Sequence, residues 1–345
     1  MIRALLRIGL ILAILLAISG SFFTYWVNLS LKTPHTHSAE QLFVIEPGMG
    51  RKAIVRKLVQ EGIVKQSLPL LVYMTVQPAK ANLQAGEYLF DSPITPIQVL
   101  EKINRGQVAT LQLTIPEGYD RFDIVETLIA GQIGDREELE KAVKDTSLIA
   151  DLDPEAKDLE GYLFPDTYTY THRTDAQQFV ALMVKRYKQI LTPERRKRAE
   201  ELGMTLRQVL ILASLIEREA KHDEERPLVS SVFHNRLKKG MKLDCDPTFI
   251  YAAKLEGVWD KNVNNPSHRR RNSSYNTYAY PGLPPGPIAS PGIKSIDAAL
   301  NPASADYIYF VVNSADGHHK FSSTENEHLK AVAQYRRLQK QMINN

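Results

Sequence analysis

The stretch of this 345-residue chain best equipped for chemistry is Leu212–Glu219, LASLIERE, where Glu217 and Glu219 close an apolar run. A carboxyl is a general acid when protonated and a general base when ionised. Burial raises its pKa toward the range where both forms serve near neutral pH. On a helical wheel at about 100° per residue, Glu217 falls inside the arc of Leu206, Val209, Leu210, Ala213, Ile216 and Ala220. Glu219 falls beyond the far margin of that arc, about 200° from Glu217. Only Glu217 is therefore expected to hold a proton near neutral pH. The competing reading is a Glu tied by an Arg to brace the core. A paired-carboxylate hydrolase would need a second acid roughly 5–10 Å away. Glu160, Asp166, Asp244 and Asp246 are the candidates elsewhere in the chain.

Other chemistries find less support. His222-Asp223 and His318-His319 lack the spacing of a helical metal motif, so neither metal nor cofactor is expected. There is no G-x-S-x-G and no phosphate-cradling glycine loop. The single cysteine, Cys245, cannot form an internal disulfide and reads as a small core or loop residue. A net charge of +4 is too small and too dispersed for a nucleic-acid binder. The runs Arg195–Arg198 and His268–Arg271 read as solvated faces.

The element that must position Glu217 is a helix from Thr205 to Ala220, with Thr205 and Gln208 forming a capping box. Ile211 and Leu215 lie on its polar side, which implies cover on more than one face. Pro227–Leu237 is a second helix and the expected partner of the first. Further helices are expected over Arg51–Glu61, Ser67–Thr75, Thr95–Gly106, Arg136–Lys144, Asp175–Leu191, Pro193–Glu201 and Glu325–Met342. Strands are expected at Phe43–Ile45, Leu83–Phe90, Leu111–Ile115 and Tyr307–Val312, the last pairing with Lys320–Ser322. Leu159–Tyr170 is an aromatic segment that Pro165 keeps out of a helix, and Pro281–Gly292 is an ordered loop. Gly48, Arg51, Ile54, Val55 and Leu58 recur 70 positions later as Gly118, Arg121, Ile124, Val125 and Leu128, so one strand–turn–helix unit is used twice.

Ile8–Val27 carries no charge and is long enough to span about 30 Å of hydrocarbon. Arg3 and Arg7 precede it and only Lys32 follows closely, which puts the N-terminus in the cytoplasm and the body outside. No A-x-A site follows, so an uncleaved anchor is expected rather than a signal peptide. Ser30–Glu40, polar with Pro34, reads as a short tether. The expected organisation is an N-terminus and anchor over 1–29, a linker over 30–40, a small strand–helix–helix–strand module over 41–107, and a catalytic domain over 108–345. The fold class is α+β: one transmembrane helix, a small α+β module, then a larger mixed α/β domain around a buried central helix.

Six stretches in order carry a family resemblance: LEGYLFPDTY (Leu159–Tyr168), LASLIERE, SSVFHNRL (Ser230–Leu237), LDCDPTFIYA (Leu243–Ala252), SSYNTYAYPGLPPGPIASPG (Ser273–Gly292) and FSSTENEH (Phe321–His328). On these the chain resembles the endolytic murein transglycosylases, the MltG or YceG-like family, over nearly its whole length. The resemblance implies that the small module is LysM-like. It implies cleavage of the β-1,4 bond between N-acetylmuramic acid and N-acetylglucosamine within peptidoglycan strands, without water, leaving 1,6-anhydro-muramyl ends. The family's catalytic Glu falls on Glu217. Asn235, Tyr275, Asn276, Thr277 and His319 become candidate substrate-binding residues, with Tyr278 and Tyr280 as further stacking faces. The implied setting is the inner membrane, single-pass, with the body in the periplasm. Glycan strands are the implied substrate and peptidoglycan synthases (penicillin-binding proteins) the candidate partners. Two other classes fit the same residues: a silent peptidoglycan-binding scaffold, and a water-using glycosidase.

Overall fold

A computed structural model describes residues 2–38, 42–314 and 316–343. Residues 39–41, at the expected junction of linker and module, and 344–345, at the expected end of the catalytic domain, lie outside the described residues. The chain divides into two compact units, 1–111 and 112–345.

The first unit opens on α1 (Ile2–Lys32), whose segment Leu5–Lys32 is long and apolar enough to cross a membrane. By length and composition α1 is a candidate membrane anchor or signal. It is followed by β1 (Phe43–Ile45), α2 (Arg51–Gln60), α3 (Leu68–Val76), β2 (Gly86–Tyr88) and α4 (Pro96–Asn104). β1 and β2 pair antiparallel, Phe43 opposite Tyr88. The expected strand over Leu83–Phe90 is thus only three residues long. Thr95 and Gln98 form a complete capping box at the start of α4. The tether is corrected at its start: α1 runs through Ser30 to Lys32, and Val27 and Leu31 are buried in one core with Ile54, Leu70, Tyr88 and Leu100. Apolar side chains at the end of α1 find a surface to cover, which the polar composition of the following segment does not reveal.

The second unit contains β3 (Leu111–Thr114), α5 (Arg121–Ala130), α6 (Arg136–Ala142), β4 (Thr167–Tyr170), α7 (Ala176–Ile190), α8 (Pro193–Glu201), α9 (Leu206–Glu219), α10 (Arg226–Lys238), α11 (Asp246–Leu255), α12 (Pro266–Arg269), α13 (Ile293–Leu300), β5 (Tyr309–Val312), β6 (His319–Ser322) and α14 (Glu325–Ile343). β3 pairs with β4, and β5 with β6 in antiparallel register, Tyr309 opposite Ser322. β4 comes from the aromatic segment: Tyr168 and Tyr170 are buried while Thr167 and Thr169 face out, the period of a strand.

α9 is the centre of this unit. All eight residues from Val209 to Leu215 and Ile216 are buried, so Ile211 and Leu215 are covered as fully as the predicted apolar arc. Its main partner is α13, with α10, α11 and α8 also against it. Sequence reading did not assign α13, although Ile293, Ile296 and Leu300 have helical spacing. The Arg195–Arg198 run is not merely a solvated face. Arg195 clamps Asp297 on α13 (Nε to Oδ1 2.7 Å), and Arg198 Nε donates to the Leu300 carbonyl (3.1 Å).

The internal repeat is a repeat of backbone geometry. Gly48 and Gly118 both adopt positive φ, +83° and +77°, in the turns before α2 and α5. The helices also end alike: Gly62 (φ +74°) and Gln132 (φ +57°) are equivalent positions. Behind them Ile63 N donates to Leu58 O (3.0 Å) and Ile133 N to Leu128 O (3.1 Å).

Candidate active site

α9 starts where its capping box places it, with Thr205 N donating to Gln208 Oε1 (2.9 Å) and Gln208 N to Thr205 Oγ1 (3.2 Å). It stops after Glu219, because Ala220 is extended. Two glutamates therefore sit in the last turn, where the helix dipole disfavours negative charge. Each needs partners from outside the helix, and each finds them on a different side.

Glu217 is gripped at both oxygens. Arg226 Nη2, at the start of α10, donates to Oε1 (3.1 Å), and the backbone N–H of Gly292 donates to Oε2 (3.0 Å). The side chains of Glu217 and Arg226 are 6% and 7% exposed. Gly292 is the N-cap of α13, so the N–H it offers belongs to the unsatisfied, positive end of a helix. Arg226 also donates to Ser295 Oγ through Nε (2.9 Å) and to Asp223, which Lys294 bridges in turn. The Glu–Arg tie that competed with a catalytic role is thus present. It does not exclude that role, since one Arg226 nitrogen and one peptide N–H are the groups that would receive a newly ionised carboxylate.

A second acid, which sequence reading missed, stands beside this group. Glu117 belongs to the Pro116-Glu117-Gly118 turn at the head of the second repeat. A Cβ on Gly292 would overlap the Glu117 carboxylate, so Glu117 lies directly on the peptide that binds Glu217. The turn is fixed by Gly118 N donating to Ser290 O (2.9 Å) and by Arg218 Nη1 donating to Gly118 O (3.0 Å). A Cβ at Gly118 would stand 3.6 Å from Glu217 Cγ. Partial burial and the neighbouring Glu217 push Glu117 above the usual carboxylate range, against the pull of Arg226. The only signal in sequence was its position one residue before the repeated glycine.

Glu219 occupies the opposite side of α9, and here the wheel misleads. Burial pushes its pKa up to about 7, opposed by hydrogen bonds from the Cys245 thiol and from the backbone of Asp246. The side that the wheel assigns to a margin is covered by Cys245 and α11. A proton near neutral pH is therefore held at Glu219, outside the apolar arc. Burial and the adjacent Glu219 in turn push the Cys245 thiol upward, which keeps it unreactive.

The side-chain hydrogen bonds described for Asn235, Asn276, Thr277 and His319 go to partners other than Glu217. Thr277 Oγ1 accepts from Cys245 N (3.0 Å) and contacts Thr248 Oγ1 (3.0 Å), fully buried behind Glu219. Asn276, also buried, donates to Arg269 O (2.9 Å) and Arg271 O (2.8 Å) and accepts from Tyr278 N (3.0 Å). Asn235 Nδ2 donates to Ala305 O (2.8 Å) and Tyr307 O (2.9 Å), fastening the approach to β5. His319 pairs through Nδ1 with Glu225 Oε2 (2.7 Å), the residue before Arg226. Tyr275 packs on Tyr251 at 5.1 Å between ring centres. The capacities of Asn235, Asn276 and Thr277 that suited a sugar are used to hold loops. Tyr278 donates to Asp246 Oδ1 (2.6 Å) under Arg269, and Tyr280 donates to Asn272 Oδ1 (2.6 Å).

Of the other acids considered from sequence, Glu160 is fully buried and pushed up to about 8, chiefly by burial and then by Asp120. It accepts from Arg121 N (3.0 Å), Gly161 N (3.2 Å) and Tyr251 Oη (2.9 Å). With Arg207 and Tyr275 it lines a cavity of about 110 Å³. Arg207 is ten residues before Glu217, so that cavity lies near a level of α9 about 15 Å from the Glu217 end. It is not the same site. Asp166 is paired with Arg186 and Asp244 with Arg236. For metal, the structure does gather His222, Glu224 and His318, with ligand atoms within 4.8 Å of one another. The two imidazoles, however, stack in parallel, 3.7 Å apart and tilted by 8°. Their in-plane lone pairs cannot meet on one ion without unstacking.

A mixed α+β chain with an acid at the end of a buried central helix, held by an arginine and a helix N-terminus, is the class that fold and site define. The chain belongs to the YceG-like family, whose model matches residues 43–334. It is 31% identical to the endolytic murein transglycosylase of Bacillus subtilis, over 84% of this chain and 83% of that protein. It is 28% identical to the endolytic murein transglycosylase of Streptococcus pneumoniae, covering 97% of this chain and 65% of that longer protein. The crystal structure of a YceG-like protein from Listeria monocytogenes superposes with a TM-score of 0.57 at 30% identity, over 84% of this chain and 98% of that one.

Proposed function

We propose that this protein is a membrane-anchored endolytic lytic transglycosylase of peptidoglycan. The observation that carries the reading is Glu217, held in the last turn of a buried helix by Arg226 and the Gly292 N–H, in a chain whose relatives bear the name endolytic murein transglycosylase. Protonated Glu217 gives its proton to the glycosidic oxygen between N-acetylmuramic acid and N-acetylglucosamine as the C1–O bond breaks. Arg226 and the Gly292 N–H stabilise the carboxylate so formed. That carboxylate then takes the proton of the muramyl C6 hydroxyl while O6 bonds to C1. Glu217 ends as it began, and a 1,6-anhydro ring closes the strand. The nucleophile is part of the substrate, so one positioned acid–base group suffices and no water is consumed.

α1 is the proposed single-pass anchor, with Arg3 and Arg7 on the cytoplasmic side and residues 30–345 in the periplasm. Residues 41–107 are proposed as a LysM-like glycan-binding module, and synthases of the penicillin-binding class as partners that deliver nascent strands. Mass analysis of products from isolated glycan strands tests the reading. 1,6-Anhydro-muramyl ends are expected. Free reducing ends would establish a water-using glycosidase, and binding to sacculi with no product would establish a scaffold.

A further inference from the structure

α3 (LPLLVYMTV) carries no charged residue. Pro69, Leu70 and Met74 turn one face of it into the core of the first unit. Leu68, Leu71, Val72, Thr75 and Val76 share the opposite face, an arc of about 140° at roughly 100° per residue. Leu68 and Val76 are 49% and 72% exposed, and Leu71 and Val72 are half-buried. The Thr75 hydroxyl donates to Leu71 O (2.8 Å), so the polar side chain on that face needs no water. A helix that is apolar all round is normally covered on every side.

The place of α3 along α1 says what covers it. α1 packs on α3 and α4, and it does so at its end, where Val27 and Leu31 are buried. Leu16, Phe22 and Leu29 of α1 are exposed. The uncharged run Ile8–Val27 fills about 30 Å of hydrocarbon, and Leu31 lies about 6 Å beyond its last residue. α3 is therefore held beside α1 at the level where hydrocarbon gives way to headgroups. Trp26, Leu29 and Ser30 of α1 line a cavity of about 200 Å³ together with Lys65 and Pro69. An amphipathic aromatic and a long cation are the side chains suited to that level. Between Glu61 and Glu87 the chain carries Lys65 and Lys80 and no acid, so this segment does not repel an anionic headgroup.

Resting on the reading of α1 as an uncleaved membrane anchor, we propose that the exposed face of α3 is seated in the periplasmic leaflet of the same membrane. The partner is the phospholipid surface: acyl chains cover Leu68, Val72 and Val76, and Lys65 meets lipid phosphate. The depth is that of an interfacial helix, about 5–10 Å into the headgroup–acyl boundary. Residues 43–104 are then fixed on the membrane surface rather than free to swing from it.

The test is site-directed spin labelling of the full chain in vesicles of phosphatidylethanolamine and phosphatidylglycerol. Cys245 is buried and takes no label. Labels are introduced singly through Leu68→Cys and Val76→Cys on α3, both at exposed positions that the fold does not depend on. Leu16→Cys in α1 is the lipid reference and Lys197→Cys on α8 the water reference. Oxygen, which concentrates in lipid, and a water-soluble nickel chelate are the two relaxants. Labels at 68 and 76 should relax faster with oxygen than with nickel, as at 16, and the order should reverse at 197. Adding Val76→Glu to the protein labelled at 68 should lower the oxygen-to-nickel ratio there, and adding Val76→Leu should not. Nickel-dominated relaxation at 68 and 76, with 16 in lipid, would overturn the seating and leave the anchor standing. A label at 16 that sits in water would sink the anchor reading and the seating with it. Exclusion of both relaxants at 68 and 76, with spin–spin broadening, would place a second copy of this chain on α3 and equally overturn the proposal.

Discussion

Glu219→Gln isolates the most strongly perturbed group in the last turn of α9. An acid whose pKa is raised in the folded state binds more protons folded than unfolded. Its contribution to stability is therefore complete below the unfolded value and is lost as pH rises through the folded one. For Glu219 the window runs from about 4.5 to about 7. That difference corresponds to about 3 kcal/mol, lost by wild type between acid and mildly alkaline pH. Gln has the same shape, can accept from the Cys245 thiol and does not titrate. The two proteins should be about equally stable near pH 4, and the variant more stable by up to about 3 kcal/mol near pH 8. For a unit of this size that is roughly 5–10 °C in Tm. Glu160 adds a slope of the same sign but titrates higher, at about 8, and it is present in both proteins, so it cancels in the difference. Differential scanning calorimetry from pH 4 to 8 measures the effect. A pH-independent difference between wild type and variant would refute the burial argument. The variant should also keep its ability to form anhydro ends. Loss of product in a correctly folded Glu219→Gln protein would mean that the catalytic acid is not Glu217 alone.

Glu217→Gln should abolish product formation, a loss of at least about 10²–10⁴ in rate, and full activity would end the proposed mechanism. Arg226 would be left with Asp223 as its remaining salt-bridge partner, so melting should fall by the equivalent of roughly 1–3 kcal/mol. Gly292→Ala keeps an allowed backbone but drives a methyl into Glu117. Its kcat should fall well below wild type while its fold survives, and wild-type kcat would show that this packing is irrelevant. Deleting residues 1–32 removes Val27 and Leu31 from the core of the first unit, about 1.5–3 kcal/mol each. The melting transition of that unit should drop accordingly, and an unchanged transition would contradict the continuity of α1 with the core.

Much of the scaffold was legible because its signals are local. The capping residues Thr95, Asp135, Asp175 and Thr205 each sit at an observed N-cap with the acceptor three residues on. The repeat was legible because a positive-φ glycine before a helix and the same apolar spacing within it recur together. α13 escaped notice because it is short and follows a Pro-rich loop, with Gly292 giving no side-chain cap. The wheel failed at Glu219 for a different reason. It ranks faces by the helix's own residues, and it cannot see that Cys245 and α11 cover the face it reads as marginal.

The sequence by itself determined where α9 begins and ends, that two acids share its last turn on nearly opposite faces, and that an apolar helix long enough to cross a membrane leads the chain. These follow from periodicity and capping, which act within a few residues. The tertiary structure decided what each acid meets. Arg226 is nine residues from Glu217, Gly292 is 75 away, and Glu117 is 100 positions upstream. Protonation depends on burial and on the charges within a few ångströms, and those distances exist only once α9, α10, α13 and the Glu117 turn have packed together.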